Sequence, residues 1–369
     1  MDAAFRAPLP FLTLIAASYG ATTEQAGWLA VALSLAGLVA PIVGIVEGKF
    51  GRRSMTITSA GLFILSCFLM PFAPTFVAVL VLYVTLGVAK SLFTPQVQAF
   101  VGDNVPYEKR GTAFGFIELS WALGWIVGVP LFGFLIERAS WWSSFLLFGA
   151  IGLLGLVLVL RFAIKRDDPA LRADASLLDL DSVRRVLRDG PAVRLLFFGV
   201  LIAFTAQLAT LVYAPYLVRE FTLSPAQLGL ASVVLGVADV VAELATVVLV
   251  DRFGKWRSVV ISCIGFALSL FGVIALSQSL VPMLAGLFFV FLTFEFALVA
   301  SLAVVNEVVP QARATMSGFV VATHSFGRIV ASAIALPLFA LGGLPVVMVL
   351  AGLLTALAVV VYWPVRVGE

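Results

Sequence analysis

Eleven apolar stretches, each about as long as a helix that crosses lipid, constrain this sequence more than any other feature. About 20 apolar residues cover the roughly 30 Å hydrocarbon core, and lipid offers the backbone no hydrogen-bond partners, so such stretches become helices. With 62% hydrophobic and 12% charged residues, the chain is not an ordinary soluble domain. The sequence therefore predicts an all-α polytopic membrane protein. The predicted spans are 26–46, 55–73, 77–100, 112–136, 142–162, 192–218, 226–249, 258–277, 283–305, 314–340 and 345–363.

A shorter apolar segment, Pro8 to Tyr19, precedes these spans and cannot cross lipid alone. A cleaved secretory signal is the competing interpretation, because Arg6 stands before the segment. Pro8 and Pro10 interrupt its apolar core and argue against that interpretation.

Basic residues in alternate loops predict the orientation. Lys49, Arg52 and Arg53 follow the first full span, Lys109 and Arg110 the third, and Arg252, Lys255 and Arg257 the seventh. The positive-inside rule places these loops in the cytoplasm, together with the central loop and the C-terminus, for a protein of the plasma membrane. The net charge of +3 therefore indicates topology and not nucleic-acid binding.

An internal repeat divides the chain into two halves. TTEQAGWLA (22–30) aligns with SPAQLGLAS (224–232), and DNVPYEKRGTAFGF (103–116) with EVVPQARATMSGF (307–319), both at an offset near 203. Duplicated helical units are typical of transporters. We expect an N-terminal bundle over 1–164, an amphipathic cytoplasmic linker helix over 165–191 and a C-terminal bundle over 192–369.

The loop after the first full span carries a family motif. Gly44-Ile-Val-Glu-Gly-Lys-Phe-Gly51-Arg52-Arg53 resembles the loop motif of the major facilitator superfamily, with Glu47 one residue before the usual acid position. The repeat supplies Asp251, Arg252 and Gly254 in register. The resemblance implies two pseudo-symmetric six-helix bundles, a monomer and alternating access. The segment at 8–20 resembles the outer end of the family's first helix, whose inner part would then lie upstream or be replaced by a partner or lipid.

These loops suit an ion-pair latch that closes the cytoplasmic ends of the bundles in one state. The alternative is that the charges only anchor loops in water. The predicted latch residues are Gly44, Glu47, Lys49, Gly51, Arg52, Arg53, Asp103, Arg110, Asp251, Arg252, Gly254, Glu307 and Arg313.

A glycine pattern marks the fourth full span. Gly115, Gly124, Gly128, Pro130 and Gly133 resemble the fifth-helix motif of antiporters in the same superfamily, with the proline displaced by one residue. The resemblance implies export by antiport. The alternative is close helix packing, which small residues also allow.

Charged residues inside the spans predict the transport site, because a charge that faces lipid costs several kcal/mol. Four acids face two permanent bases, Lys90 and Arg328, so at least one acid should bind a proton in some state. The candidate proton carriers are Asp239, Glu118, Glu295 and Glu243, with His324 as a relay. For each of them the alternative is an ion pair that only fixes helix packing.

Aromatic and polar residues near these charges predict the cavity wall: Trp121, Trp125, Gln207, Tyr213, Tyr216 and Phe294. Such a wall suits a small amphiphilic or aromatic compound, and the acid excess favours a cation.

We therefore expect a proton-coupled exporter of small organic compounds, with the proton gradient as its energy source and no cofactor. Cys67 and Cys263 lie alone in apolar runs, so neither a disulfide nor a metal site is expected. No enzyme motif is recognised. A sensor or scaffold that does not transport, and an importer or uniporter of a metabolite such as a sugar, stay open as alternatives.

Overall fold

The computed structural model describes residues 1–39, 51–106, 109, 117, 119–163 and 180–366, and these residues form helices and connecting turns without a β-strand. The helices are α1 Asp2–Arg6, α2 Leu12–Ala17, α3 Gly27–Leu35, α4 Arg52–Leu69, α5 Phe76–Asn104, α6 Leu119–Arg138, α7 Ser143–Leu158, α8 Leu180–Arg188, α9 Gly190–Phe221, α10 Pro225–Ala231, α11 Val233–Phe253, α12 Lys255–Leu276, α13 Leu280–Val308 and α14 Arg313–Tyr362. Short 3-10 turns are Leu9–Phe11, Glu24–Ala26, Ala36–Val39, Met70–Phe72 and Pro310–Ala312.

Nine segments of the described chain are long and apolar enough to cross a membrane, and each coincides with predicted spans. The last of them, Pro310–Tyr362, has 53 residues. At 1.5 Å per residue it would be about 80 Å long, more than twice the hydrocarbon core. Gly343 breaks it with φ 65° and ψ −164°, so α14 is two crossing helices that meet at this residue. The predicted all-α membrane protein is confirmed.

The backbone repeats at the spacing of the sequence motifs. Gly51 has φ 79° and Gly254 has φ 85°, and each immediately precedes a membrane helix. Positive φ is strained for residues with a Cβ, so the glycines of the two loops are conformational requirements. The helices α5 and α13 also match, at 29 residues each. The predicted domain limits at 164 and 191 stay predictions, since residues 164–179 lie outside the described part.

Basic loops gather at one end of the bundle, which we call the basic end. It is defined by the starts of α4, α9 and α12 and by the turn Pro310–Ala312. The helix α8 packs on this turn and on α14, burying Ser182 and Val186 and exposing Arg184 and Arg185. An amphipathic helix therefore lies in the predicted linker. The other end of the bundle is called the opposite end below.

Residues 1–17, the N-terminal segment, run from the middle of the bundle to the opposite end. Lys90 is the central residue of α5, about 20 Å from either end of that helix. Its ammonium contacts Asp2, whereas the hydroxyl of Tyr19 donates a hydrogen bond of 3.1 Å to the carbonyl of Ala73, in the loop before α5. The segment therefore spans about half the length of the bundle, and the assignment of 8–20 to the outer end of a first helix stays a prediction.

Glycines close the opposite end tightly. A Cβ on Gly133 of α6 would come within 2.2 Å of the Pro225 carbonyl oxygen, and a Cβ on Gly27 within 2.3 Å of the Ser332 carbonyl oxygen. The carboxylate of Glu137 also accepts hydrogen bonds from the start of α10, including the Ala226 amide at 3.1 Å. The two halves of the repeat therefore touch backbone to backbone at this end.

Substituting Gly133 by alanine should disturb this closure. The added methyl group meets backbone, which cannot rotate away, and overpacking of this kind costs about 1–3 kcal/mol. We expect Gly133→Ala to lower the thermal unfolding midpoint of the purified protein in detergent. Gly155→Ala is the matched control, because a Cβ there meets nothing within 4 Å. Equal midpoints for both variants would contradict the described contact.

Candidate functional site

A small cavity lies at the centre of the described bundle, between helices of both halves. Its volume is about 70 Å³, and it lies at the depth of the buried charges. It is lined by Phe5, Arg6, Leu9, Ala30, Leu33, Ser34, Trp121, Trp125, Ala203, Ala206, Gln207, Thr210, Asp239, Phe291, Phe294, Glu295 and Arg328. Since ligand pockets usually measure about 300–1,000 Å³, an organic compound does not fit in this conformation.

A buried ion pair joins the N-terminal segment to α11. The guanidinium of Arg6 donates a hydrogen bond to Oδ2 of Asp239, 233 residues away in the chain. The Asp239 side chain is 1% exposed and that of Arg6 is 9% exposed. Breaking such a pair leaves an uncompensated charge in a low-dielectric interior, so it ties the beginning of the chain firmly to the C-terminal half.

Two cationic side chains lie over the ring of Trp121. The guanidinium carbon of Arg6 lies 4.0 Å from the ring centroid, and the Lys90 ammonium lies 3.5 Å from it. Trp125, one helical turn further, lies 5.4 Å from the same Arg6 carbon. Aromatic faces carry partial negative charge, so these rings stabilise cations at a depth where water is scarce.

Lys90 is neutralised by the N-terminal segment. Its ammonium donates a 2.7 Å hydrogen bond to Oδ1 of Asp2, and Ser120 donates a 2.8 Å hydrogen bond to Oδ2 of the same carboxylate. The N-terminal segment thus supplies one acid and one base to the centre of the molecule.

The local geometry of α6 makes room for these contacts. Gly124–Gly128 form a π-helical turn, a feature that recurs at functional sites. A Cβ on Gly124 would lie 3.4 Å from the Cα of Ala3, and one on Gly128 would lie 3.2 Å from the Cβ of Ala3. The small residues of the predicted antiporter-like motif therefore admit the N-terminal segment, while Gly133 and Pro130 face α10.

The predicted cavity residues divide into two groups. Trp121, Trp125, Gln207 and Phe294 line the cavity, as expected. Tyr213 and Tyr216 do not line it.

Tyr213 is fully buried behind the cavity wall. Its ring packs edge-on against Trp125, and its hydroxyl shares a 2.9 Å hydrogen bond with Ser232. Tyr216 lies towards the opposite end, where its hydroxyl donates to the Ser277 carbonyl at 2.9 Å. Both residues lie on a helix that was predicted to face the cavity, but the sequence did not show which aromatic rings reach the cavity and which lie behind its wall.

The predicted charges are placed unevenly around the cavity. Glu295, 5% exposed, and Arg328 line it together with Asp239. The His324 ring packs against Gly199 of α9, where a Cβ would come within 3.0 Å of it. Glu243 lies one turn beyond Asp239 on α11 and is half-buried.

Two interior charges were missed by the sequence reasoning, which counted only Lys90 and Arg328 as bases. Asp2 and Arg6 lie in the interior, so Asp239 pairs with Arg6, and Lys90 with Asp2. Among the described cavity charges and their partners, acids and bases are therefore equal in number: Asp2, Asp239 and Glu295 against Arg6, Lys90 and Arg328. The signal that could have found them was the resemblance of 8–20 to the outer half of a first helix, because the preceding residues must then lie at mid-membrane.

At the basic end, an ion pair in the second half of the repeat involves one predicted latch residue, and the latch itself stays a prediction. The ammonium of Lys255, at the start of α12, contacts the carboxylate of Glu307, at the end of α13. Asp251, Arg252 and Arg313 are exposed there. Lys255 was not among the predicted latch residues, although Glu307 was.

Several predicted residues lie outside the described part of the chain: Gly44, Glu47, Lys49, Arg110, Gly115 and Glu118, as do the side chains of Arg52 and Asp103. Arg53 is half-buried at the start of α4.

Comparison with known proteins places this architecture in a family. The family model described as Major Facilitator Superfamily matches residues 1–216 and 195–369. The uncharacterized MFS-type transporter YceJ of Bacillus subtilis is 24% identical over 335 residues, 88% of this chain and 83% of that protein. The multidrug resistance protein MdtG of Proteus mirabilis is 28% identical over 69% of this chain and 63% of its own.

A solved structure shares the fold. The crystal structure of a mutant of the nucleoside transporter NupG superposes with a TM-score of 0.79, covering 99% of this chain and 96% of that chain at 14% identity. At this identity the likeness concerns the fold alone.

A double-mutant cycle should measure the buried pair. Each of Arg6→Gln and Asp239→Asn should cost about 3–5 kcal/mol of unfolding free energy, because it strands the partner's charge, and the double variant should recover much of that loss. Chemical unfolding in detergent is the measurement. The control is the exposed pair Arg219 and Glu220, 2.9 Å apart and 61% and 41% exposed, which should contribute less than about 1 kcal/mol. Additive losses at Arg6 and Asp239 would refute the coupling.

Proposed function

This chain belongs to the Major Facilitator Superfamily, a family of membrane transporters, and on that premise we propose that it exports small organic compounds in exchange for protons by alternating access. The N-terminal bundle 1–164 and the C-terminal bundle 192–369 rock about the central cavity, and the linker 165–191 lies on the cytoplasmic face. The protein works as a monomer in the plasma membrane, with the proton gradient as its energy source and no cofactor.

The relatives support export as the direction. MdtG is a multidrug resistance protein by name, and the multi-drug resistance efflux pump PmrA of Streptococcus pneumoniae is 29% identical over 43% of this chain. The glycines of α6, which resemble the antiporter motif, support the same direction.

The observation that carries the proposal is the state of Asp239. One of its oxygens is paired with Arg6, and the other, Oδ1, is buried and has no hydrogen-bond partner among the described residues. A buried carboxylate held by one strong partner can exist in two forms, paired with a base or protonated. Protonation removes the charge that holds Arg6.

The cycle follows from this exchange. When a proton binds Asp239, the N-terminal segment loses its link to α11, and the halves are free to rearrange around the cavity. When the proton leaves, the pair forms again and the halves return. A compound that interacts with the same carboxylate competes with the proton, which is the requirement for antiport.

We propose a latch role for the ion pair of Lys255 and Glu307. This ion pair holds the start of α12 next to the end of α13, and so it stabilises the basic end of the C-terminal half in this conformation. In the other half, Arg52, the first residue of α4, has the corresponding position after Gly51.

Exchange can be tested in inside-out vesicles that contain the purified chain. A proton gradient is imposed, and a panel of lipophilic cations, neutral antibiotics and sugars is added while the internal pH is recorded. We expect compound-dependent loss of the gradient in the wild type and none with Asp239→Asn, because the neutral amide cannot exchange a proton.

Glu220→Gln is the matched control, since it removes an exposed acid at the opposite end and should leave the exchange unchanged. Folding of Asp239→Asn is checked by its elution as a single species, and Arg6→Gln/Asp239→Asn serves as a second, better balanced variant. Full exchange by both Asp239 variants would refute proton coupling through this residue, and no response of folded wild-type protein would favour a chain that does not transport.

A further inference from the structure

The guanidinium of Arg6 fills a site with the features of a binding site for an organic cation. It touches a buried carboxylate, that of Asp239, and it lies over the rings of Trp121 and Trp125. A buried carboxylate together with aromatic faces is an arrangement that recognises planar and quaternary cations in general. Here a side chain of the same protein is the occupant.

The walls of this site are held in place without help from Arg6. The ring of Trp125 is 2% exposed and packs edge-on against Tyr213 and Phe291 at centroid distances of 6.4 and 6.2 Å. Gly236 allows α11 to pack closely against α6, since a Cβ at Gly236 would come within 2.8 Å of the Trp125 Cβ. In this conformation the carboxylate and the ring therefore keep their spacing when Arg6 leaves the site.

The occupant, in contrast, lies next to a break in the helix. Arg6 is the last residue of α1, and Pro8 and the 3-10 turn Leu9–Phe11 separate α1 from α2. Proline breaks the helical hydrogen bonding at this point, so α1 is able to shift without moving α2. The cavity beside Arg6 has about 70 Å³, which is too small for an organic ligand while the side chain stays in place.

We propose that Arg6 is a tethered competitor of the transported compound, and that this compound is a planar organic cation whose charged group takes the place of the Arg6 guanidinium between Asp239, Trp121 and Trp125. The substrate class rests on the proposed function, whereas the competition is a property of binding alone. Arg6 keeps the site filled and its carboxylate neutralised when no compound is bound. Binding of the compound releases α1.

The sign of the ligand charge follows from the site and not from an acid excess. Lys90 is matched by Asp2, and Glu295 and Arg328 also line the cavity with opposite charges, so removing Arg6 leaves an excess of one negative charge next to two indole rings. An anion would meet both the carboxylate and the negative ring faces, and a neutral compound would leave the carboxylate unpaired.

Three probes of nearly equal shape test this inference: benzamidinium, benzamide and benzoate. Their affinities are measured by calorimetry on the purified full chain in detergent, without a proton gradient. For benzamidinium we expect Arg6→Gln to bind about tenfold more tightly than the wild type, because the probe no longer displaces a charge-assisted hydrogen bond. Arg6→Lys should give a smaller gain, about threefold, since an ammonium pairs with the carboxylate but lacks the planar fork.

Selectivity decides the outcome. Benzamide should change less than about twofold, and the control Arg138→Gln, an exposed arginine at the far end of α6, should change no affinity. Adding Asp239→Asn to Arg6→Gln should remove the gain. A gain of equal size for all three probes, or no gain with either Arg6 variant, would overturn the proposal. If Arg6→Gln does not fold, Arg6→Lys keeps the charge pair and carries the test by itself.

The two proposals fail separately. Absence of Asp239-dependent proton exchange, with the expected order of probe affinities intact, removes the proposed function and leaves the competition. Proton exchange that depends on Asp239, with no selective gain for benzamidinium, removes the competition and leaves the function.

Discussion

The ion pair between Arg6 and Asp239 is the interaction on which the centre of this protein depends. Burying either charge alone in a low-dielectric interior costs several kcal/mol, and pairing the two charges offsets much of that cost. Each charge therefore fixes the position of the other. Through this pair the first residues of the chain are held against α11, and through Asp2 they also hold Lys90 on α5. The N-terminal segment is therefore a structural bridge between the halves as well as one wall of the cavity.

Much of the fold could be predicted because its causes are local in sequence. Lipid requires helices of a certain length, so apolar runs identified the spans, and the break at Gly343 inside α14 lies in the gap predicted between 314–340 and 345–363. The repeat could be recognised in part because each half needs a glycine with positive φ at the same position of its loop, Gly51 in one half and Gly254 in the other. Residues 164–179, in the predicted linker, lie outside the described part and leave the domain limits as predictions.

The site was less predictable because its partners are distant in sequence. Burial cost identified Asp239, Glu295, Lys90 and Arg328 as interior charges, but it could not say which acid meets which base. Arg6 precedes the first apolar run and has the appearance of a flanking charge, so only its contact with α11 revealed its role. The sequence also did not show which aromatic side chains line the cavity. Trp125 lines it, whereas Tyr213, on an equally apolar helix, lies behind it.

The two kinds of contact between the halves suggest which one switches. At the opposite end, glycines bring backbones together, and backbone packing has no group that gains or loses charge, although the exposed Glu137 carboxylate also joins the halves there. At the centre, the halves are joined by charge, and a charge is lost when a proton binds or is satisfied differently when a cation binds. We therefore propose that the charges around Asp239 respond to the proton or the cation, and that the glycine contacts at the opposite end open and close as a consequence.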